Sequence, residues 1–184
     1  MNKQNIILIM ADDFGYECVA ADGGLSYETP NFDAMAENGV RFTHCFSQPL
    51  CTPSRVQIMT GKYNDKNYES FGYLGVGERT FGNLFRDHGY RTCISGKWQL
   101  NGIGRYPGAD TDRMRYQHFG FEESCMWQVT QGRGAGERYA DPLIEVNGGE
   151  PHVRKGEYGP DIFCDFGLDF VERHKNEPFF WYYP

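Results

Sequence analysis

Six apolar residues in a row, Ile6-Ile7-Leu8-Ile9-Met10-Ala11, run straight into Asp12-Asp13. The run is too short for a buried helix and lacks the alternation of a strand with one wet face. It therefore predicts a strand covered on both faces, the kind found inside parallel sheets. Adjacent carboxylates at the carboxyl end of such a strand stand where open α/β sheets place their ligands, and two hard oxygen donors so close repel each other unless a cation joins them. The plainer reading of Asp-Asp is an Asx-type turn that ends the strand.

Two further segments read as strands. Tyr90 to Leu100 reads as a strand that presents Lys97 beside Gly96 at its end, after a helix from Thr80 to His88 with Phe81, Leu84 and Phe85 on one face and Gly89 as its stop. A lysine at that strand end is placed to neutralise an anionic group of a substrate. Pro178-Phe179-Phe180-Trp181-Tyr182-Tyr183 reads as another buried strand, preceded by a helix from Pro160 on which Phe163, Phe166, Phe170, Val171 and His174 recur at helical spacing. Buried strands alternating with helices predict an α/β fold, a mostly parallel sheet flanked by helices.

Cys51-Thr52-Pro53-Ser54-Arg55, continuing through Val56 to Lys62, predicts a short helix. Pro53, with its fixed φ and no N–H, suits a first helical position, and Gly61 suits the stop. Cys51 and Thr52 then lie at the positive end of the helix with Arg55 one turn in, an arrangement that suits an oxyanion such as sulfate or phosphate. The bland alternative is a packed cysteine beside a solvated arginine. Upstream, Thr29 is expected to cap a helix that Pro30 starts and Gly39 ends, with Phe32, Met35 and Ala36 sharing a face. Val40 to Phe46 alternates loosely and reads as a strand.

Cys-x-Pro-Ser-Arg with Thr60-Gly61-Lys62 downstream resembles the signature of the type I sulfatases, in the alkaline-phosphatase-like superfamily. Asp12-Asp13, Thr29-Pro30-Asn31-Phe32-Asp33, Gly96-Lys97-Trp98-Gln99-Leu100 and Pro178 to Tyr183 resemble further segments of that family. The resemblance implies a partial alkaline-phosphatase/sulfatase-like fold, truncated before its C-terminal part. Core elements would cover about 4–100 and 160–184, and a pocket-shaping insertion about 101–159. It also implies a sulfuric ester hydrolase for a sulfated small molecule or glycan. There Cys51 is converted to formylglycine by the formylglycine-generating enzyme, and Arg55 steadies the nucleophile. Asp12, Asp13 and residue 51 bind calcium, or magnesium in some members, and Lys97 contacts the sulfate. One hydroxyl of the hydrated aldehyde attacks sulfur, the alcohol leaves, and the second hydroxyl then expels sulfate.

The sequence departs from the family pattern where Gln99 replaces a histidine and Asn101 a glycine. Gln99 remains a substrate-binding candidate, because an amide orients sulfate by hydrogen bonds, but it carries no proton near neutral pH. His88 and His118 are the nearest imidazoles to take that role. Trp127, Arg133 and Tyr139 are candidates to face a sugar. The alternatives are a phosphonate or phosphate ester hydrolase of the same superfamily, and an inactive truncated fragment that folds and binds an anion.

A net charge of −7 over 184 residues disfavours nucleic acid as a partner. No apolar run reaches bilayer-spanning length. Cys18, Cys45, Cys51, Cys93, Cys125 and Cys164 show neither Cys-x-x-Cys pairing nor zinc spacing. Gly132-Arg133-Gly134-Ala135-Gly136 lacks the strand before it and the Gly-Lys-Ser/Thr after it that a phosphate loop needs. Pro142 to Glu150 reads as a hairpin around Asn147-Gly148. Met1 to Gln4 leaves no room for a signal peptide, so the expected location is cytoplasmic, or periplasmic or secreted if an export signal has been removed. A sheet short of its later strands would leave an edge open to self-association.

Overall fold

The computed structural model describes residues 3–132, 134 and 136–184. Its elements in chain order are β1 (Ile6–Ile9), α1 (Pro30–Asn38), α2 (Cys51–Thr60), α3 (Asn64–Asn67), α4 (Phe81–Asp87), β2 (Arg91–Lys97), α5 (Arg115–His118), β3 (Glu123–Trp127), β4 (Leu143–Val146), β5 (His152–Val153), α6 (Gly159–His174) and β6 (Phe179–Tyr183). They fall into two compact units, Met1–Met10 with Thr52–Pro184, and Ala11–Cys51.

In the larger unit the strands form a mixed sheet in the order β1-β6-β2-β3-β4-β5. β1, β6, β2 and β3 are mutually parallel, and β4 and β5 are antiparallel to their neighbours. β6 bears out the buried strand expected at Phe179 to Tyr183, lying between β1 and β2. Its alternating side chains divide the core into two layers. Phe180 and Tyr182 face Val56 and Met59 of α2, Phe81 and Phe85 of α4, and Phe121. Phe179 and Trp181 face Phe166 and Phe170 of α6. Each such ring stabilises the fold by ~1.5–3 kcal/mol through removal from water. Gly167 lets α6 approach, since a Cβ there would lie 1.9 Å from the Trp181 ring.

The other expected helices are present. Thr80 caps α4 in a reciprocal box with Asn83, and Gly61, at φ +66°, ends α2. Asn147 and Gly148, at φ +47° and +74°, turn β4 into β5 as the Asn-Gly pair predicts.

Three expectations are corrected. β1 is not covered on both faces: Ile6 and Leu8 pack toward the core, while Ile7 and Ile9 are 48% and 56% exposed. β1 is the margin strand, and α6, which packs on β2, β6 and β3, does not cover it. Val40 to Phe46 is irregular, and no strand among the described residues pairs with it. The Thr29 hydroxyl does not cap α1. It accepts from the Ala20 N–H at 2.9 Å and donates to Asp33 Oδ1 at 3.1 Å, and that same carboxylate oxygen accepts from the Ala21 N–H at 2.8 Å. The start of α1 is thereby tied to residues 20–22, and Phe32 and Met35 stay exposed.

At the amino end of the sheet, Glu123 of β3 accepts from Arg173 at 2.5 Å and lies 3.2 Å from His174 Nε2. The Arg173 hydrogen bond holds the Glu123 carboxyl below its ordinary range. A carboxyl whose pKa is depressed by folding adds stability above its unfolded pKa and loses it as pH falls through the folded one. Glu123→Gln should therefore lower the unfolding midpoint at pH 7, by about 1 kcal/mol or less because Arg173 is partly solvated. It should also flatten the acid limb below about pH 4.5. Thermal denaturation across pH checks this, and superimposable profiles for the two proteins would contradict it.

Candidate active site

The first turn of α2 is assembled by backbone contacts. α2 opens at Cys51, so Pro53 is its third residue and not the first as expected. Its missing N–H is still among those that a first helical turn leaves unpaired, and its carbonyl accepts from Asn64 Nδ2 at 3.1 Å. The buried Thr52 hydroxyl accepts from the Gly72 N–H at 3.0 Å. Arg55 is 2% exposed. Its Nη1 donates to the Lys97 carbonyl and, at 3.3 Å, to the Trp98 carbonyl. Its Nε is buried with no hydrogen-bond partner among the described residues. Arg55 therefore straps α2 to the carboxyl end of β2 and puts a desolvated positive charge there.

That strand end has a specific shape. Gly96 has φ +135°, and a Cβ on it would lie 2.1 Å from the Pro184 carbonyl oxygen. Glycine is thus required for the Lys97 N–H to reach the same carbonyl, at 3.0 Å. Lys97, largely buried, is the last residue of β2. Beyond it the β2 and β3 chains stay paired, Trp98 N–H to the Trp127 carbonyl at 2.9 Å and Gln99 N–H to the Gln128 carbonyl at 3.0 Å. Gln99 and Gln128 both adopt left-handed backbone, at φ +49° and +58°. Such residues cost ~1–3 kcal/mol each and persist where the surroundings over-determine them.

Asn101, the second departure from the family pattern, has a structural role. Its Oδ1 accepts from the Trp98 indole, and its Nδ2 donates to the Ala109 and Asp112 carbonyls at 3.1 and 2.9 Å. This pins the loop after β2 and keeps Trp98 buried. Next to it lies a cavity of about 250 Å³ lined by Phe71, Gln99, Ile103, Arg105, Gln128 and Gln131, among others. Sequence reasoning missed Gln128. It is 6% exposed, and neither its Oε1 nor its Nε2 has a hydrogen-bond partner among the described residues. No local pattern marks it, and only the orphaned amide does.

The unit of residues 11–51 contains Asp12, Asp13 and Cys51. Asp13 adopts left-handed backbone at φ +53°, and Cys51 opens α2. Asp12 and Asp13 are hard oxygen donors of the type calcium or magnesium takes. Among the described residues, no group of three or more His, Cys, Asp or Glu side chains is placed to hold a metal ion. Calcium needs about six to eight oxygens, so the described donors fall short of a complete site. Of the other cysteines, Cys93 and Cys125 are buried. Burial raises both thiols, Cys125 to about 12, which keeps them protonated.

His88 and His118 are exposed and lie just before the amino ends of β2 and β3. Lys97, Gln99 and Gln128 lie at the opposite ends of those strands, so neither imidazole replaces the histidine missing at position 99. Arg138 stacks on Trp127 at 5.4 Å and on Tyr139 at 4.6 Å, giving both rings packing partners. Arg133 lies outside the described residues.

A family model described as Sulfatase matches residues 4–184. The chain is 32% identical over 181 residues to an N-acetylglucosamine-6-O-sulfatase of Bacteroides thetaiotaomicron, an alignment covering 96% of this chain and 29% of that protein. It is 40% identical over 113 residues to steryl-sulfatase of Homo sapiens, covering 54% and 19%. A solved structure of a protein in complex with its substrate D-glucosamine-2-N,6-O-disulfate matches with a TM-score of 0.79 and 32% identity, over 99% of this chain and 34% of that one. The chain thus spans under a third of the length of the first of these relatives.

Gly96→Ala should destabilise the chain by about 2 kcal/mol or more, because the added methyl meets a backbone carbonyl and an unfavourable φ together. Chemical denaturation reads this directly. An unchanged midpoint would mean that the strand end relaxes freely and does not fix Lys97.

Proposed function

This chain belongs to the sulfatase family, and on that premise we propose that it supplies the nucleophile and the anion-holding cation of a sulfuric ester hydrolase acting on sulfated carbohydrate. The observation that carries the reading is the end of β2. There a largely buried lysine is held by a glycine that admits no side chain and by the Arg55 strap. Desolvation strengthens the pull of Lys97 on sulfuryl oxygens as their charge grows in the transition state.

Cys51 is the residue we assign as the formylglycine precursor, and the formylglycine-generating enzyme as the partner that converts it. Sulfatases in general use formylglycine and a divalent metal. The modified residue offers a hydroxyl for attack on sulfur and a second hydroxyl whose deprotonation releases sulfate, whereas a thiol offers neither. The amino end of α2 favours negative charge on residue 51. Asp12 and Asp13 are assigned to calcium or magnesium by donor type, and no step is routed through the ion. Gln99 orients the sulfate by hydrogen bonds and stays neutral throughout, so position 99 adds no titration to the pH profile. The loops within 101–159 are assigned to the substrate pocket, while β3 and Phe121 of that span belong to the core sheet and its aromatic layer. A sugar substrate is supported by the relatives named for N-acetylglucosamine 6-sulfate and glucosamine disulfate.

Co-expression with a formylglycine-generating enzyme, peptide mass spectrometry and ester assays test the reading. An aldehyde is expected at residue 51, with release of sulfate from N-acetylglucosamine 6-sulfate. Cys51→Ala should lower that release on the order of 10³-fold or more. An intact thiol alone, or release indifferent to Cys51→Ala, contradicts the proposal. Faster cleavage of a phosphonate monoester than of any sulfate ester transfers the site to the sister class of hydrolases.

A further inference from the structure

We propose that the cavity between the loops following β2 and β3 is a subsite for the hydroxyl groups of a pyranose ring, with the buried Gln128 carboxamide as its specificity-determining group. The inference deepens the carbohydrate part of the proposed function and rests on that reading.

Gln128 lines the cavity, yet its Oε1 and Nε2 are sealed from water and unpartnered among the described residues. Leaving a buried donor and acceptor unsatisfied is costly, and a bound ligand relieves that cost when the amide turns to meet it. The loop offers no cheaper escape. Thr130, two residues on, donates through its N–H at 2.8 Å and its hydroxyl at 3.0–3.1 Å to the carboxylate of Glu145, itself buried on β4. The backbone of Gln128 is anchored to Gln99, and both residues hold strained left-handed conformations. Glu145 is thus a positioning residue for this wall of the cavity.

The chemistry of the lining selects the ligand class. A carboxamide offers N–H donors and a carbonyl acceptor together, which matches neighbouring hydroxyls that each donate and accept. Arg105 and Gln131 add further donors, and Phe71 offers a flat apolar wall to the C–H face of a ring. Among the described residues the lining includes no Asp or Glu to repel a sulfated sugar. A volume of about 250 Å³ lies just under the ~300–1,000 Å³ of sites for drug-sized ligands, so one ring fits better than a large polycyclic body. An aryl or steroid skeleton would leave Gln128 unsatisfied.

The test uses an unsulfated probe, methyl N-acetylglucosaminide, titrated into the chain and followed by amide NMR. Saturable shifts are expected at the Gln128 side-chain amide and across 99–105 and 128–132. Gln128→Met should weaken binding about tenfold, the size of one or two lost hydrogen bonds. Its unfolding temperature should equal or exceed that of the parent, since an unsatisfied amide has been removed. Arg105→Ala, at an exposed position, should weaken binding severalfold. Sugar binding unchanged in either variant, shifts elsewhere only, or a Gln128→Met protein that is destabilised but binds normally would each overturn the subsite. The probe carries no sulfate, so the two readings fail separately. Sulfate release from an aryl ester without sugar binding removes the subsite alone, and sugar binding through Gln128 with an intact thiol at residue 51 removes the catalytic reading alone.

Discussion

The buried guanidinium of Arg55 is the interaction on which the arrangement at the end of β2 depends. A charge that deep costs several kcal/mol unless oriented dipoles replace its water. The carbonyls of Lys97 and Trp98 supply those dipoles, and in doing so they lock the first turn of α2 to one place on the sheet. Gly96 completes the constraint by letting β2 approach Pro184 more closely than any side chain allows. Lys97 emerges from this junction with little freedom, and a cation used for electrostatic stabilisation needs to be placed in that way before substrate arrives.

The two ends of the parallel strands have different roles. At the carboxyl ends of β2 and β3, the residues that follow adopt left-handed backbone without being glycine: Gln99 and Gln128. At the amino ends lie the ordinary devices of stability, the α4 capping box and the Glu123 ion pairs. The aromatic layers on either side of β6 hold the sheet rigid between them. Strain is tolerable at one end because packing elsewhere is dense.

Much of this was legible in the residues. A continuous apolar run gave β6, helical spacing gave α4 and α6, Gly61 marked the end of α2, and Asn147-Gly148 specified its turn, whereas Pro53 misplaced the start of α2, which opens two residues earlier at Cys51. The double coverage of β1 was not legible, because an apolar run reports hydrophobicity and not where the strand falls in the sheet order. Val40 to Phe46 alternated without a partner to pair with. Thr29 looked like a cap, but Asp33 and the turn at residues 20–22 compete for its hydroxyl. Lys97 and Arg55 announced themselves by residue type and motif. Asn101 and Gln128 did not, since an amide in a polar loop reads alike whether its bonds are all satisfied, as in Asn101, or left open, as in Gln128.

The most direct measurement is a titration of the chain with inorganic sulfate, followed by NMR of lysine ammonium and glutamine side-chain amide resonances. The expected result is a joint, saturable shift of Lys97 and Gln99, with Lys62, engaged by Glu78 at 2.6 Å on the surface, left in place. Shifts distributed over surface lysines, with Lys97 and Gln99 silent, would contradict the assignment of the β2 end as the anion site.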